Sequence, residues 1–342
     1  MSPKVSIIIP VYNGERTVRE SLESVLTQSL GEIEVLCIDD GSTDGTVAIL
    51  QEIAAGDARM RLYGFEKNQG IVLAAKTGLL EASGEYVMFV DSDDILLPGA
   101  CENAVRLIEQ YDVDILQFNV KVNVPPGMNH DVWEIFLTSK DLRSEGVNIL
   151  YDCYAFHRFP HVIWNKIYRR DVCHEAAAAM PDLKLSLEAD VLQTFLFLYF
   201  ARTFQSVTSG PYYEYFIGNG TSTQAPTAEQ FEKECSASMI LTAIEAFLRD
   251  RHEYASHRFL MESIGIILKS NALTKLMCLP EITADTIRLA VEHWGSELIY
   301  AFIRATGLLD VSFTNRYGMV TKLAAENRKL NQGHNDSRKD RI

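Results

Sequence analysis

Short apolar runs alternate with amphipathic stretches along the first third of the chain. The runs Val5 to Val11 and Ile33 to Ile38 are rich in β-branched and aliphatic residues, and a polar turn sequence follows each one. Runs of this kind are typical of strands that are buried on both faces of a parallel sheet. Between them, Glu15 to Gln28 places apolar residues on one face at helical spacing, which predicts an amphipathic helix.

The alternation of strand and helix continues as far as residue 122. Further strands are predicted at Arg61 to Phe65, Tyr86 to Val90 and Val113 to Val122, and further helices at Thr46 to Ala55, Gly70 to Ala82 and Gly99 to Gln110. This order predicts βαβ units with right-handed crossovers and a mostly parallel, Rossmann-like sheet flanked by helices, in the α/β class. In such sheets, ligands bind beyond the carboxyl ends of the strands.

A Pro-Pro-Gly sequence at residues 125–127 interrupts the alternation. The segment that follows is mixed and aromatic-rich, and helical spacing returns at Phe231 to Arg249 and Arg258 to Leu276. Near-heptad spacing over Asn315 to Leu330 predicts a contact between two helices. We therefore predict a helical C-terminal region over residues 226–342, after a catalytic domain over residues 1–225 whose halves cover residues 1–123 and 124–225.

Composition and charge exclude several classes of protein. The chain has 342 residues, of which 47% are apolar, and this is enough for a sizeable folded core. Its formal net charge of −14 argues against broad nucleic-acid binding, which needs a basic face. The N-terminus runs directly into the first strand and no apolar stretch reaches bilayer length, so we expect no signal peptide, no membrane-spanning anchor and a cytoplasmic protein. Peripheral contact with the inner face of the membrane and a homodimer through the C-terminal helices stay open.

An acidic cluster follows the fourth predicted strand. Asp91, Ser92, Asp93 and Asp94 are consecutive, and three of them carry carboxylates. Carboxylates crowded at a strand end repel one another and lose solvation. A divalent cation such as Mg²⁺ or Mn²⁺ relieves both costs because it takes oxygen ligands. A capped turn before the next helix is the alternative interpretation.

Two other strand ends carry side chains that could bind a ligand. Asp39 and Asp40 close the second strand, where a carboxylate could accept hydrogen bonds from a nucleobase or a ribose. Pro10 and Tyr12 lie at the end of the first strand, and Tyr12 could stack on a base. Each feature alone also fits a turn, a helix cap or an ordinary surface tyrosine. Their predicted position at one edge of the same sheet as the acidic cluster is more specific than any one of them.

The three strand-end sequences resemble the catalytic domain of glycosyltransferase family 2. The similarity rests on VSIIIPVYN at residues 5–13, CIDDGSTDGT at residues 37–46 and GEYVMFVDSDD at residues 84–94. It is strong over the first third of the chain and weaker to about residue 223. The resemblance implies the GT-A fold, a nucleotide-sugar donor and transfer of the sugar to an acceptor hydroxyl.

The resemblance also assigns roles to the residues of these motifs. It implies a nucleotide-sugar pocket lined by Pro10, Tyr12, Glu15, Asp39, Asp40, Asn68, Gly70, Asp91 and Ser92. Asp91 and Asp93 match the D-x-D motif of the family, with Asp93 as the direct ligand of Mn²⁺ or Mg²⁺ and Asp91 as its helper. Such an ion bridges the two phosphates and stabilises the departing nucleoside diphosphate.

One position departs from the family pattern. Where relatives carry an arginine after the sequence Asn68-Gln69-Gly70, this chain has Ala75, followed by Lys76. Either Lys76 replaces the missing cation in the pocket or the contacts to the donor differ. Arginine and lysine are not interchangeable at a bidentate site, so the identity of the donor stays open.

An inverting transferase of this family also needs a general base. Relatives carry adjacent Glu-Asp before an aromatic helix, whereas here Ala189 separates Glu188 from Asp190. The resemblance favours Asp190 as the base, with Glu188 second, because a carboxylate must take the proton of the attacking hydroxyl. Two solvated acids at a helix start are the competing interpretation. On the acceptor side, Trp164 is expected to stack on a sugar ring and Lys166 to meet a phosphate, unless both belong to the core.

Together these observations predict an inverting, metal-dependent glycosyltransferase. Its donor would be a UDP-linked sugar, and its acceptor a hydroxyl of a glycan or lipid-linked glycan in cell-envelope polysaccharide synthesis, as is common in the family. One alternative is a sugar nucleotidyltransferase, which would need a glycine-rich, basic loop where Tyr12-Asn13-Gly14-Glu15 stands. The other is a degenerate nucleotide-sugar-binding scaffold, which would explain Ala75 and the separated acids.

Overall fold

The computed structural model describes residues 2–125, 137–185, 187–218 and 227–299. Eleven strands lie in these residues: β1 (Val5–Val11), β2 (Ile33–Asp39), β3 (Met60–Gly64), β4 (Tyr86–Phe89), β5 (Ile95–Leu96), β6 (Ile115–Gln117), β7 (Val120–Asn123), β8 (Leu142–Glu145), β9 (Lys166–Arg169), β10 (Thr203–Ser206) and β11 (Tyr213–Phe216). They form an eight-stranded sheet of order β3-β2-β1-β4-β9-β6-β10-β8 and a three-stranded sheet of order β5-β11-β7.

The helices with described bounds surround these sheets or follow them in the chain. They are α1 (Val18–Leu26), α2 (Thr46–Gly56), α3 (Ile71–Glu81), α4 (Ala100–Tyr111), α5 (Asn148–Tyr154), α6 (Arg170–Ala179), α7 (Ala189–Phe200), α8 (Ala228–Ser236), α9 (Ser238–Asp250), α10 (Arg258–Cys278) and α11 (Ala284–Trp294). The helical spacing predicted over Phe231 to Arg249 is confirmed and corresponds to two helices, α8 and α9, that meet at Ala237.

The predicted α/β architecture is confirmed, and the larger sheet is mixed. β2 and β4 pair in parallel with β1, and β3 pairs in parallel with β2. β9 then enters antiparallel between β4 and β6. The change of direction lies in the middle of the sheet, so the half formed by β1 to β4 keeps parallel strands whose carboxyl ends share one edge.

The single strand predicted over Val113 to Val122 is wrong, because two short strands in different sheets occupy this segment. β6 pairs with β9 and β10, whereas β7 pairs with β11. Between them, the N–H of Phe118 donates to the carbonyl oxygen of Asn165, and the N–H of Asn119 donates to that of Ser209, each at 3.1 Å. These bonds lead the chain from one sheet to the other although the apolar pattern continues without a break.

Small side chains bring α3 close to the sheet. A Cβ at Gly78 would stand 2.5 Å from Cγ2 of Ile8 in β1, so only glycine fits this contact. Ala74 and Ala75 on the same helix are fully buried. Ala75 is therefore a core residue of this domain.

The chain divides into two compact units, which are residues 1–224 with 246–260 and residues 225–245 with 261–342. In the second unit, α8 packs against α11, and each begins with a threonine that accepts a hydrogen bond from a helical N–H group. The division of roles predicted at residue 225 stays a prediction, and the segment Asn315 to Leu330 lies outside the described residues. Within the described ranges, no helix combines the length and the apolar character that crossing a bilayer requires.

Candidate functional site

Three strand ends meet at one edge of the larger sheet. Val11 lies opposite Asp39 in the pairing of β1 with β2, and the N–H of Asp40 donates to the carbonyl oxygen of Val11 at 2.8 Å. On the other side of β1, the N–H of Val90 donates to the carbonyl oxygen of Ile8 at 3.0 Å. Parallel pairing therefore brings the residues after β1, β2 and β4 together, at the place where such sheets bind ligands.

The acidic cluster after β4 places three carboxylates close together. Asp91, Asp93 and Asp94 each offer a carboxylate oxygen, and these atoms lie within 4.8 Å of one another. Burial raises the pKa of all three carboxyls, and charge repulsion raises those of Asp91 and Asp94 further, well above the usual range. A divalent cation would offset this repulsion and accepts carboxylate oxygens, so the cluster fits Mn²⁺ or Mg²⁺.

Asp94 is held by the smaller sheet. Its fully buried carboxylate accepts hydrogen bonds from the hydroxyl of Tyr213 and from the N–H of Phe216, both at 2.8 Å. The same hydroxyl accepts a hydrogen bond from the N–H of Asp91 at 3.0 Å. Both oxygens of Asp94 therefore fix β11 against the acidic loop, and Asp91 and Asp93 are left as the better candidates for a metal ion. No local sequence motif marks Tyr213 for this role.

The acidic loop also contacts the turn after β1. A Cβ at Gly14 would lie in van der Waals contact with Oγ of Ser92, at 3.5 Å. In α1, the hydroxyl of Ser21 donates to the carbonyl oxygen of Asp91 at 3.1 Å. The structure thus brings Ser92 to the edge where the resemblance expects it and fixes the backbone of Asp91 from a second direction.

The neighbouring acids Asp39 and Asp40 have different surroundings. The carboxylate of Asp40 accepts hydrogen bonds from the side-chain amide of Asn68 at 2.8 Å and from the two N–H groups that follow that residue, at 2.6 and 2.9 Å. Asp39 accepts two long hydrogen bonds of 3.3 Å from the N–H of Ser42. Asp40 and Asn68 therefore order the loop before α3, and Asp39 is the better placed of the two acids to bind a ligand.

The residues around the end of β1 also differ in whether they are available to a ligand or are engaged in contacts within the protein. Tyr12 is 48% exposed beyond the strand, and Pro10 is partly buried within it. The carboxylate of Glu15 accepts a hydrogen bond from the N–H of Gly45 at 2.7 Å, which ties the turn after β1 to the loop after β2. Tyr12 thus offers an accessible aromatic ring, whereas Glu15 joins two loops of the edge.

Lys76 binds a different part of the chain from the one predicted. Its ammonium donates to the carbonyl oxygen of Met180 at 2.9 Å and forms an ion pair with Asp182 at 2.7 Å. In this structure the ammonium of Lys76 is bound by the segment before α7, which favours the alternative in which the contacts to the donor differ. The charge compensation that the pocket needs must come from elsewhere.

Residues 180–185, named here the bridging segment, lie across the start of α3. The carbonyl oxygen of Leu185 accepts a hydrogen bond from the N–H of Ile71 at 3.0 Å. Gly70, with φ of 94°, permits this approach, since a Cβ there would stand 2.6 Å from the same oxygen. The sequence motifs give Gly70 a place in the pocket, but they do not predict Lys184, which precedes Leu185 in the bridging segment and whose charge acts on Asp40.

Asp190 lies in the first turn of α7 and acts electrostatically on the acidic cluster. Burial raises the pKa of Asp190 to about 7, with a further rise from the charge of Glu188 and an opposing effect of Lys166. The pKa of Asp91 is raised by burial, by its two acidic neighbours and also by Asp190. The residue keeps partial exposure, so a carboxyl that titrates near neutral pH lies within reach of a ligand.

Glu188 begins α7 in a left-handed conformation, with φ of 58°. A residue other than glycine pays roughly 1–2 kcal/mol for this backbone, and such strain clusters at functional sites. The structure therefore brings Glu188 and Asp190 to one helix start, and burial raises the pKa of Asp190 there to about 7.

Lys166 is not available to an acceptor phosphate. It is fully buried, and its ammonium donates to the carbonyl oxygens of Pro160 and Val162 at 3.1 and 2.6 Å and to the side-chain oxygen of Asn165 at 2.8 Å. Burial lowers the pKa of Lys166 to about 7, although the charge of Asp190 acts in the opposite direction. The predicted phosphate contact is therefore wrong, and Lys166 holds together the loop before β9.

Trp164 is also part of the core. It is 4% exposed, and its ring stacks on those of Tyr213 and Tyr215 with centroids 4.8 Å apart in each pair. The predicted stacking of Trp164 on an acceptor sugar is therefore contradicted, because the tyrosines of β11 occupy its surroundings. The alternative interpretation of both Trp164 and Lys166, as core residues, agrees with the structure.

The family model described as Glycosyl transferase family 2 matches residues 6–163. The match contains the ends of β1, β2 and β4 and the whole acidic cluster. Residues 6–163 are a glycosyltransferase family 2 domain. The matched residues end before α7, the helix at whose start Glu188 and Asp190 lie.

The curated relatives of this chain are named glycosyltransferases. YibD of Escherichia coli (strain K12), an uncharacterised glycosyltransferase, is 35% identical over 173 residues, which is 49% of each chain. EpsH of Bacillus subtilis (strain 168), a provisionally assigned glycosyltransferase, is 28% identical over 274 residues, which is 79% of this chain and 76% of EpsH. The family 2 similarity thus spans about half the length of YibD and extends further along EpsH.

Solved structures of TarS from S. aureus share the fold. TarS 1–349 has a TM-score of 0.57 at 20% identity, with 96% of this chain and 92% of that chain covered. A longer TarS structure has a TM-score of 0.60 at 21% identity, with 95% of this chain and 54% of that chain covered. The GT-A fold predicted for the family 2 domain is therefore confirmed, together with a helical C-terminal part.

Proposed function

We propose that this protein is an inverting, metal-dependent glycosyltransferase that transfers a sugar from a UDP-linked donor to a glycan hydroxyl. The observation that carries the proposal is the arrangement of Asp91 and Asp93 as a candidate metal pair close to Asp190, whose pKa is about 7. Displacement at an anomeric carbon needs stabilisation of the leaving diphosphate and a proton acceptor for the attacking hydroxyl. Both requirements would be met at one edge of the sheet.

The donor would bind across the ends of β1, β2 and β4. The exposed ring of Tyr12 can stack on a uracil, and Asp39 can accept hydrogen bonds from the base or the ribose. TarS, which shares the fold, has been solved with UDP and with UDP-GlcNAc, and this supports a uridine nucleotide here. Asp40 and Asn68 would contribute by ordering the loop that borders the pocket.

Asp93, with Asp91 beside it, would hold the Mn²⁺ or Mg²⁺ ion. When bound, such an ion neutralises the diphosphate and stabilises the departing nucleoside diphosphate. The pKa values of both carboxyls are raised by burial, so protons compete with the metal ion for them. Metal affinity should consequently fall as the pH is lowered from neutral.

Asp190 would accept the proton of the attacking hydroxyl. The acceptor oxygen forms a bond to the anomeric carbon while the bond from that carbon to the diphosphate oxygen breaks, and the hydroxyl proton passes to the Asp190 carboxylate. Attack from the face opposite the leaving group inverts the anomeric configuration. A pKa of about 7 leaves much of this carboxyl ionised at neutral pH while keeping it basic enough to take the proton.

The proposed acceptor is a glycan or lipid-linked glycan of the cell envelope, assembled on the cytoplasmic side of the membrane. This part of the proposal rests on the roles that are common in family 2. An acceptor hydroxyl must reach Asp190, which keeps partial exposure at the start of α7. Because Trp164 and Lys166 are buried, other residues around this helix start would form the acceptor surface.

A thermal-shift screen of nucleotide-sugars with and without Mn²⁺ tests the proposal. A ligand that binds only the native state raises the melting temperature by an amount that grows with its concentration relative to its Kd. We expect UDP-sugars to raise the melting temperature in Mn²⁺ and to lose most of this effect in EDTA. A shift with sugars on another nucleotide would correct the donor, and no shift with any nucleotide-sugar would contradict the proposal.

Product analysis separates the proposed function from the two alternatives. Release of UDP from the donor with Mn²⁺, even by slow hydrolysis, would exclude a degenerate binding scaffold. Release of pyrophosphate from a nucleoside triphosphate and a sugar phosphate would indicate a nucleotidyltransferase instead. Both products are resolved by anion-exchange chromatography of a single reaction mixture.

A further inference from the structure

The edge that would bind the donor is rich in acids. Asp39 ends β2, and Glu15, Asp40 and Asp44 lie on the loops after β1 and β2, in a chain with a formal net charge of −14. A nucleoside diphosphate is itself an anion, so an acidic edge of this kind needs local positive charge in addition to any metal ion. The question is which side chain supplies it.

The bridging segment is docked against α3 at both of its ends. At one end, Lys76 forms its ion pair with Asp182 at 2.7 Å and is thereby occupied. At the other end, Leu185 accepts the hydrogen bond from the N–H of Ile71 at 3.0 Å, over the glycine at position 70. The backbone of the bridging segment is thus held beside the loop that precedes α3.

Lys184 lies between these two anchors and directly before Leu185. Its side chain is exposed, and among the described residues no carboxylate forms an ion pair with it. The loop beside it is bound to Asp40, whose carboxylate accepts a hydrogen bond from the N–H of Gly70 at 2.9 Å. Burial raises the pKa of Asp40, whereas the hydrogen bonds from Gln69 and Gly70 and the charge of Lys184 lower it, which agrees with the position of the bridging segment beside this loop.

We propose that Lys184 is a donor-binding residue whose ammonium contacts a phosphate of the nucleoside diphosphate. The inference rests on the proposed function and adds to it a binding residue that comes from outside the strand-end motifs. A lysine ammonium is a compact charge with three donors, and phosphate oxygens are well suited to accept from it. The buried Ala75 and the paired Lys76 leave Lys184 as the cation that the bridging segment presents at this edge.

Binding of uridine, UMP and UDP to the full-length chain tests this contact, measured by calorimetry in Mn²⁺. We expect Lys184→Ala to weaken UDP binding by about tenfold, as for one charged hydrogen bond, and to leave uridine binding unchanged. Lys184→Arg should retain most of the affinity for UDP because it keeps the charge. Lys67→Ala is the matched control, since Lys67 is an exposed lysine on the neighbouring loop. The affinity of this variant for UDP should stay within about twofold of the affinity of the native chain.

Three results would overturn the assignment of Lys184. These are unchanged UDP affinity in Lys184→Ala, an equal loss for uridine and UDP, and an equal loss in Lys67→Ala, which would indicate a diffuse field instead of a contact. If the native chain binds UDP and one of these results is found, Lys184 is wrong while the proposed donor stands. If the native chain binds no nucleotide or nucleotide-sugar, both fail. Melting temperatures of the variants should match that of the native chain, because Lys184 is exposed.

Discussion

Two regions of this site are built in different ways. One is the nucleotide edge, formed by the residues at the ends of β1, β2 and β4, and the other is the base pocket, which is the surroundings of the proposed general base Asp190 at the start of α7. At the nucleotide edge, Asp39 ends β2 and Asp91 and Asp93 follow β4, and the parallel pairing of both strands with β1 is enough to bring these residues to one edge. In the base pocket, Asp190 stands at a helix start and receives a hydrogen bond from the N–H of Ile163 and the charge of buried Lys166. The first region follows from local sequence and the second from contacts between distant segments.

The two regions also differ in how their negative charge is balanced. The charges that raise the pKa of Asp91 are those of Asp93, Asp94 and Asp190, in addition to burial. Asp190 instead lies near the ammonium of Lys166, which lowers its pKa against the effect of burial. The nucleotide edge therefore calls for a cation from solution, whereas the protein supplies one within the base pocket.

The largest effect is expected from Asp93→Ala. Loss of the metal ligand should lower metal-dependent transfer by roughly a thousandfold, because a bound cation stabilises the leaving diphosphate by several kcal/mol. The melting temperature should not fall, since burial raises the pKa of Asp93 and its charge is unfavourable in the folded chain. Initial rates of UDP release in saturating Mn²⁺, together with thermal unfolding, provide the measurement.

Asp94→Ala is the matched control for that variant. It removes the acceptor of the hydrogen bonds from Tyr213 and Phe216, so it should lower the free energy of unfolding by about 2 kcal/mol. Activity that survives in Asp93→Ala would contradict the assignment of the metal ligand, and a stable Asp94→Ala would contradict its structural role.

The next largest effect is expected from Asp190→Asn. Without a proton acceptor, kcat should fall by on the order of a hundredfold to a thousandfold, while the Kd of UDP stays unchanged. Single-turnover rates and calorimetry separate these two quantities. Glu188→Gln is the control and should lose less than about tenfold. If Glu188→Gln lost more than Asp190→Asn, the base would be Glu188.

The fold and the nucleotide edge could be predicted because short-range patterns specify them. Apolar runs mark buried strands, and Asp39, Asp40 and Asp91 stand where those runs end. The parallel pairing of these strands then places their carboxyl ends, and the residues that follow them, at one edge of the sheet. The division between β6 and β7 could not be predicted in this way, because the apolar pattern is continuous across it.

The errors concern side chains whose partners are distant in sequence. Lys76 donates to Met180, which lies 104 residues further along the chain, and Tyr213 contacts Asp94 across 119 residues. The burial of Lys166 is the exception, since its partners Pro160, Val162 and Asn165 lie within six residues of it and the shape of their loop encloses the ammonium. Periodicity and motifs carry no signal for such pairs, so residue type alone suggested surface roles for Lys76 and Lys166.

Replacing the two lysines tests the comparison through stability. Lys166→Met should lower the free energy of unfolding by about 3 kcal/mol, because three buried oxygen atoms lose their donor. Lys76→Met should cost less than about 1 kcal/mol, since its partner Asp182 is 77% exposed and solvent screens the pair. Urea unfolding of the two variants at the same pH gives both values. Equal losses in the free energy of unfolding of the two variants would contradict the view that the buried ammonium of Lys166 balances charge within the base pocket.

The last prediction concerns the pH dependence of the free energy of unfolding. The folded-state pKa of Asp190 is raised to about 7, so the folded chain binds this proton more tightly than the unfolded chain does. Its contribution to stability is therefore present in full below about pH 4 and is lost as the pH rises through 7, by roughly 3 kcal/mol between pH 5 and pH 8. Asp190→Asn should abolish this part of the pH dependence in metal-free urea unfolding at pH 5 and pH 8. An unchanged difference between the two pH values would contradict the raised pKa.

The central claim is that Asp91 and Asp93 need a metal ion to bind the donor. Calorimetric titration of UDP into the native chain and into Asp93→Ala, each in Mn²⁺ and in EDTA, tests it most directly. We predict that Mn²⁺ tightens UDP binding to the native chain by at least about tenfold and leaves Asp93→Ala unaffected. Equal affinity of the native chain in Mn²⁺ and in EDTA, or an equal gain in both proteins, would contradict the claim.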